Sequence, residues 1–337
     1  MTGATGFVGV NIVKFLAEQG RKVLGLDIAE PNPLIRDYLA GYEHLVEWAT
    51  VDLTDSYETM LVADEHLLEG VIHAAVFTPA SKEEEQAKPR EILTSNLMGT
   101  VNTLELARRA DAKRFIYVSS SGLYGRTPDT ASLTEDSPQP YLLMSGFYAI
   151  TKIASEKLTE RYAQLFPIST ASMRIAAPYG PMERPTWSRS SMGYTFDLLK
   201  LVLTDGKTHI RVKGLHYPRD RTYVKDIARG LIAGLDTPSQ TSSLYNVSCG
   251  INVSVEEILM AIREATGLNL TWEGVQNDEE ADCIVSGSSR APLSIAKARS
   301  ELGFIPQYTL RNGIREYCRW WIRTSKLGLW PYYPTRQ

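Results

Sequence analysis

The segment Thr2-Gly3-Ala4-Thr5-Gly6-Phe7-Val8-Gly9 constrains the fold of this 337-residue chain more than any other stretch. Its glycines recur at every third position, directly before a run in which Val8, Ile12, Phe15 and Leu16 fall at helical spacing. Glycine lets the turn tighten, lets backbone N–H groups approach a pyrophosphate at the positive end of a helix, and lets helix and strand pack closely. Ordinary helix starts also use glycine, so the meaning of the triplet depends on the next strand. Val23-Leu24-Gly25-Leu26-Asp27 reads as that strand. It ends in a carboxylate at the distance where a dinucleotide fold meets the adenosine ribose 2′-hydroxyl. A carboxylate there repels a 2′-phosphate and no arginine follows it directly, which favours NAD over NADP. Alone, Asp27 reads as a turn or helix cap; beside the glycines it reads as a cofactor ligand.

The N-terminal half alternates short apolar runs with amphipathic stretches, the pattern of a parallel sheet with helices on its faces. Strands are expected at 23–27, 48–51, 70–73, 115–119 and 172–176, with crossover helices between them. Leu93, Leu97, Val101, Leu104 and Leu106 mark one such helix, with small slips in its spacing. From about Pro178 the alternation stops, and Pro181, Pro185, Pro218 and the Ser/Arg-rich stretch 187–191 mark long connections. A chain of this length outgrows one core. The reading is therefore α/β: a Rossmann-type doubly wound parallel sheet over 1–177 and 208–236, with a smaller C-terminal α/β substrate lobe over 178–207 and 237–337. Because the fingerprint begins at Gly3, the strand before it is reduced to Met1 and Thr2; either the start lies upstream or that strand is severely shortened. A helix over 311–323 and the aromatic end, Trp320, Trp321, Trp330, Tyr332 and Tyr333, are expected to pack on their own domain.

Composition narrows the partner. Lys+Arg 36 against Asp+Glu 39 gives a net charge of -3, with no sign-biased surface to favour nucleic acid or an anionic membrane, which leaves a small molecule. No apolar stretch approaches the roughly 20 residues a bilayer span needs and no basic-then-apolar leader opens the sequence, so a cytoplasmic protein is expected. Cys249, Cys283 and Cys318 are far apart and show no metal-ligand spacing, so neither a disulfide framework nor a metal site is suggested.

Tyr148 and Lys152 lie four apart in the amphipathic run 147–165, which puts phenol and ammonium on one helix face. A free tyrosine ionises near pH ~10, so a lysine charge and a nicotinamide cation nearby are what make it a usable base at neutrality. Alone, the pair reads as a surface pair. It is joined by Phe115-Ile116-Tyr117-Val118, which runs into Ser119-Ser120-Ser121-Gly122-Leu123-Tyr124-Gly125. That places a serine cluster at the carboxyl end of a strand, where open α/β sheets build their sites. A hydroxyl there can hold a substrate oxygen against the tyrosine.

Taken in order, these segments resemble the extended short-chain dehydrogenase/reductase family, in its NAD-dependent epimerase/dehydratase branch. The resemblance covers nearly the whole chain: TGATGFVG at 2–9, Asp27, Val51-Asp52-Leu53, His73-Ala74-Ala75, Asn96 in Asn-Leu-Met-Gly-Thr, SSSGLYG at 119–125, YAITK at 148–152, RIAAPYGP at 174–181 and RDRTYVKD at 219–226. It implies that Gly3, Gly6, Phe7, Val8 and Gly9 cradle the pyrophosphate of NAD. Asp27 with Ile28 is then at the ribose, Asp52 and Leu53 at the adenine, and Ala74, Ala75 and Asn96 at the middle of the cofactor. By the same resemblance Lys152 holds the nicotinamide ribose, Tyr148 beside the cofactor is the base, and Ser120 orients the substrate hydroxyl. Ser120 is chosen because it lies four residues before Tyr124, the family's place for a catalytic Ser or Thr; Ser121 is the alternative, and both would touch substrate. His73 falls where the family has a structural histidine. A homodimer built on the helices carrying Asn96 and Tyr148 is a further implication.

Members that eliminate water carry an Asp-Glu pair after the catalytic hydroxyl, and related dehydratases and decarboxylases keep the Glu. Here Ser121 and Gly122 stand in those places, which disfavours dehydration and decarboxylation. Reversible oxidation of a secondary alcohol remains. If the ketone turns over and is reduced on its other face, the enzyme is an epimerase, here of a nucleotide sugar at C4. If the ketone leaves, it is a dehydrogenase of a free sugar, sugar acid or hydroxy amino acid. A non-catalytic NAD sensor is a third reading, against which the Ser120, Tyr148 and Lys152 set speaks. Arg219 matches an arginine that grips the diphosphate in nucleotide-sugar members. Against this, Ala177 replaces the usual Asn of its segment, and Asn277-Asp278-Glu279-Glu280-Ala281-Asp282 stands where a second such arginine is expected. Acidic residues there repel a diphosphate unless they point outward; a solvated loop is the favoured reading.

Overall fold

The computed structural model describes residues 1–125, 132–138, 146–237, 243–285 and 290–330. Its strands, in chain order, are β1 (Val23–Asp27), β2 (Val46–Thr50), β3 (Gly70–His73), β4 (Arg114–Ser120), β5 (Ser169–Ile175), β6 (Ala177–Tyr179), β7 (His209–Lys213), β8 (Arg219–Tyr223), β9 (Ser243–Val247), β10 (Asn252–Val253), β11 (Thr271–Val275) and β12 (Cys283–Ile284). β2 pairs with β1, and β3, β4, β5 and β9 pair in that order, all in parallel. Thr2 joins the two parts, bridging Leu26 on one side and His73 on the other. The Leu26 nitrogen donates to the Met1 carbonyl at 2.8 Å and the Thr2 nitrogen to Ile72 at 3.0 Å. The strand before the glycine turn is thus short, yet it holds the central place in a doubly wound order.

Strand alternation clothes both faces of this sheet. Ile72, Ile116 and Val118 join the core formed with the helices Phe7–Glu18 and Val224–Asp236, while Val71, Phe115 and Tyr117 face Ser56–Glu65 and Gly99–Arg109. The helical slip around residue 97 has a physical cause: a π turn at Thr94–Met98 separates the helix Pro89–Leu93 from Gly99–Arg109.

Two strands sit apart from the division expected at 208–236 and 237–337. β7 pairs with β11 and β12 in a small parallel sheet rather than with the large one. Its alternation explains this: Ile210 and Val212 are fully buried while His209 and Arg211 are exposed, a pattern for a sheet wet on one face. β9 is the edge of the large sheet, beside β5, with Tyr245, Asn246 and Val247 buried. The helix Val224–Asp236 returns the chain to that edge. A third sheet joins β10, β8 and β6.

The last helix spans Leu310–Lys326, capped by Thr309, whose side chain accepts from the Asn312 nitrogen. Trp320, Trp321 and Trp330 are buried; the latter two meet Phe196 at ring separations of 5.2 and 5.9 Å. Tyr332 and Tyr333 lie outside the described residues. Among the described residues no helix is long and apolar enough to cross a membrane.

Candidate active site

The carboxyl ends of β1, β3 and β4, with the residues just after β5, open on one cavity of about 1220 Å³. That is where a sheet of this order leaves a crevice for a ligand. Its floor is the glycine turn. Gly3 has φ of +64°, and a Cβ on it would lie 2.7 Å from the Ala75 nitrogen; one on Gly9 would lie 1.9 Å from the Gly3 carbonyl oxygen. Only hydrogen fits at either place, so the backbone stays bare before the helix Phe7–Glu18, and Gly6, Phe7 and Val8 line the cavity with it. The bare N-terminal amides of that helix are suited to a pyrophosphate.

Asp27 closes β1 at the same cavity. Its carboxylate accepts from the Thr5 nitrogen at 2.9 Å and from the Ile28 nitrogen at 2.8 Å, so it is oriented by the turn it faces. Asp52 is oriented as well, Oδ1 accepting from the nitrogen and hydroxyl of Thr54, both at 2.8 Å. The neighbouring Leu53 carbonyl accepts from Asn102 at 2.8 Å. Ile28, Asp52, Leu53, Ala74 and Ala75 all line the cavity.

Asn96, expected at the middle of the cofactor, is not among the lining residues. It is buried in the π turn, accepts from the Phe77 nitrogen at 2.7 Å, and donates to the Phe77 carbonyl and the Thr151 hydroxyl at 3.1 Å each. Both amide donors are used, so Asn96 stands behind the wall, tying the loop after β3 to the helix that carries Tyr148. His73 is likewise behind the wall, its ring between the hydroxyls of Thr2 at 2.7 Å and Thr100 at 3.1 Å. Burial pushes its imidazole down to about 3, so it is neutral.

The helix Phe147–Leu165 presents Tyr148 and Lys152 to the cavity. The Lys152 ammonium donates to the Val118 carbonyl at 2.6 Å and lies 5.7 Å from the centre of the Tyr148 ring. Burial lowers it to about 7, with the Glu156 carboxylate one turn on pulling it back up. Burial raises the Tyr148 phenol, while a hydrogen bond with Ser120 and the charge of Arg189 draw it down. Ser120 Oγ also accepts from the Gly122 nitrogen at 3.0 Å, which fixes the hydroxyl at the end of β4. Ser119 and Ser121 line the cavity beside it, the Ser119 hydroxyl donating to Glu156 at 2.6 Å.

Four arginines that no motif marked also line the cavity: Arg90, Arg184, Arg189 and Arg290. Arg184 and Arg189 come from the segment read only as a connection, although the Ser/Arg richness of 187–191 was a signal. That segment is seated by Thr78, whose nitrogen donates to the Ser188 carbonyl at 2.8 Å, and by Trp187 edge-on to Phe77 at 5.4 Å. Arg219, expected at the diphosphate, is not in the lining; it begins β8, paired with Val253 of β10. Arg290 does reach the cavity, near enough to Arg219 for that charge to lower its guanidinium. The acidic run lies elsewhere, ion-paired to the small sheet: Asp278 to Lys213 at 2.5 Å and Asp282 to Lys207 at 2.6 Å. None of its residues lines the cavity. Among the described residues no group of three or more His, Cys, Asp or Glu is placed to hold a metal ion.

A doubly wound sheet, a bare glycine cradle and a tyrosine-lysine wall define an enzyme built around a nicotinamide dinucleotide. The chain belongs to the NAD dependent epimerase/dehydratase family, whose model matches residues 1–248, and its cofactor is NAD. It is similar to UDP-glucuronate 4-epimerase 1 of Arabidopsis thaliana, 27% identical over 355 residues, which cover 96% of this chain and 76% of that one. It is similar also to the UDP-glucuronate 4-epimerase of Thermodesulfobacterium geofontis, 27% identical over 331 residues and covering 95% and 94% of the two chains. Among solved structures it resembles MoeE5 in complex with UDP-glucose and NAD, with a TM-score of 0.76 and 25% identity over 96% of this chain and 98% of that one. The fold is shared with UDP-glucose 4-epimerase of Thermotoga maritima, at a TM-score of 0.78 and 22% identity, covering 96% and 98%.

Proposed function

We propose that this protein is a nucleotide-sugar 4-epimerase. The observation that carries the reading is the wall formed by Ser120, Tyr148 and Lys152, with Ser121 and Gly122 where an eliminating enzyme needs a further acid and base. Likeness over nearly the full chain to UDP-glucuronate 4-epimerases supports the substrate class, and the acidic run, paired away from the cavity, does not oppose a diphosphate there.

In this reading Gly3, Gly6, Phe7, Val8 and Gly9 hold the pyrophosphate, Asp27 and Ile28 the adenosine ribose, Asp52 and Leu53 the adenine, and Ala74 and Ala75 the middle of the cofactor. Asn96 acts through the loop and helix it joins. Bound NAD would supply a reversible hydride acceptor for the substrate carbinol. Ser120 holds the carbinol oxygen against Tyr148, which takes its proton as the carbon is oxidised and returns it when the sugar presents its other face. Lys152 holds the nicotinamide ribose and, when charged, favours the phenolate electrostatically. The cavity wall keeps the ketone from bulk water between the two halves of the reaction.

The same reading includes a large-sheet domain and a smaller substrate lobe carrying β7, β11 and β12. It includes a homodimer through the helices around Asn96 and Tyr148, on which Met98 and Ile150 are exposed. A cytoplasmic site of action is part of it, supported by three cysteines that are all free thiols. The test is to give the purified protein trace NAD and a panel of UDP-, GDP- and dTDP-sugars and follow the sugars by proton NMR. A new epimer without net NADH is the expected result; NADH accumulating with a free ketone would make the protein a dehydrogenase instead.

A further inference from the structure

We propose that Arg290 recognises a carboxylate on the sugar ring of the substrate, which makes acidic nucleotide sugars the preferred class. This rests on the epimerase reading above.

Of the four guanidiniums in the cavity wall, Arg90 is on an exposed residue of the helix Pro89–Leu93, and two of the other three are already engaged. Arg184 donates to the Thr5 carbonyl at 2.6 Å and the Met182 carbonyl at 3.1 Å. Arg189 faces the fully buried carboxylate of Glu183 at 3.5 Å. Among the described residues Arg290 has a single neutral acceptor, the Ser121 carbonyl, 3.1 Å from Nη1. Its Nε is buried without a hydrogen-bond partner among the described residues. The acid nearest in influence, Asp220, is occupied: it accepts from the Ser248 hydroxyl at 2.5 Å, the Leu293 nitrogen at 3.0 Å and the Thr222 hydroxyl at 3.3 Å.

Burial first, and then the charge of Arg219, lowers the Arg290 guanidinium to about 10, which still leaves it charged at neutral pH. A buried charge with donors unused is costly unless an anion completes it. The planar fork of a guanidinium matches the two oxygens of a carboxylate. Position identifies the part of the substrate. Ser121 adjoins Ser120, which bonds Tyr148, so Arg290 stands at the reacting end of the cavity and not at the glycine cradle. A hexuronate carries its carboxylate on the ring carbon next to the C4 carbinol, within that end.

The test compares wild type, Arg290→Gln and Arg290→Lys, each loaded with NAD, on UDP-glucuronate and UDP-glucose. Wild type is expected to favour UDP-glucuronate in kcat/KM. In Arg290→Gln that value should fall by about tenfold to a hundredfold, mainly through KM, the scale of a charged hydrogen bond. UDP-glucose should change by less than about threefold, and Arg290→Lys should recover part of the loss. Calorimetry with UDP alone should give the same affinity for wild type and Arg290→Gln. Equal losses on both sugars would reduce Arg290 to a prop for the Ser121 carbonyl and overturn the proposal. An equal loss on UDP alone would place the guanidinium on the diphosphate and overturn it too. If wild type epimerises neither sugar, the epimerase reading fails, and the carboxylate assignment is decided by whether calorimetry still finds an Arg290-dependent preference for UDP-glucuronate.

Discussion

Arg174 closes a two-point fork on Glu156, Nε to Oε1 at 2.9 Å and Nη2 to Oε2 at 2.8 Å, with both side chains under a tenth exposed. Glu156 lies one helical turn beyond Lys152, which lies one turn beyond Tyr148, so the fork braces the reactive face of the helix against β5. It also takes the Ser119 hydroxyl at 2.6 Å, which fixes the end of β4 from behind.

Removing one partner of a buried fork strands the other charge. Glu156→Gln is expected to cost about 3–5 kcal/mol of stability in chemical denaturation. It should also move the pH profile. Glu156 holds the Lys152 ammonium up against burial, so without it Lys152 loses its proton at lower pH. The alkaline limb of kcat/KM should therefore shift to lower pH in Glu156→Gln. A variant that loses stability with an unmoved limb would show that Glu156 supports the fold and does not tune Lys152.

The glycine turn makes a paired prediction. Gly9→Ala places a methyl 1.9 Å from the Gly3 carbonyl oxygen, whereas Gly99→Ala meets nothing closer than the Leu53 Cβ at 3.8 Å. Gly9→Ala should lose about 1–3 kcal/mol of stability through the forced shift and bind NAD at least about tenfold more weakly. Gly99→Ala, in a helix, should gain roughly 0.5–1 kcal/mol with NAD affinity unchanged. Thermal unfolding and calorimetric titration with NAD read both; a Gly9→Ala protein that binds NAD normally would exclude the turn as the pyrophosphate cradle.

What the sequence conveyed and what it withheld separate along a physical line. Tyr148 and Lys152 were readable because residues four apart on a helix share a face, and Ser120 because a strand end points its residues into the crevice. That Asn96 stands behind the cavity wall was not legible, because the π turn at Thr94–Met98 inserts a residue and rotates the helix beyond it, which no apolar spacing reports as more than a slip. Arg290 was missed because its partner, the Ser121 carbonyl, is 169 residues away in the chain and neither belongs to a local pattern. The place of β9 in the large sheet was hidden for a similar reason: its neighbour there, β5, lies far back in the sequence.

His73 is predicted to make the protein sensitive to acid without touching the reaction. Its imidazole titrates near 6.5 when unfolded and only at about 3 in the buried site between Thr2 and Thr100. As pH falls from about 6.5 towards 3, the unfolded chain binds a proton the folded one refuses, so stability declines by up to about 1.4 kcal/mol per pH unit. His73→Gln cannot titrate. It should be less stable than wild type at pH 7.5 by about 1–3 kcal/mol, through a broken buried network, with the gap narrowing as pH is lowered to 5. Urea melts across that range decide it: a gap that stays constant would mean that His73 is not held neutral.

Tyr148→Phe isolates the phenol from the ring. The ring can keep its place beside Lys152, which is anchored on the Val118 carbonyl independently of the hydroxyl, so NAD binding should change by less than about threefold. Only the group proposed to exchange the carbinol proton is lost, and kcat should fall by about 10²–10⁴, the contribution of a positioned acid-base group. Lys152→Met should differ by weakening NAD as well, because in the proposed mechanism its ammonium both holds the nicotinamide ribose and favours the phenolate. Turnover by NMR and NAD titration of the two variants together therefore distinguish the two roles. If Tyr148→Phe retained more than about a tenth of wild-type kcat, the proton would have another carrier, and Ser120, whose hydroxyl bonds the phenol, would be the residue to remove next.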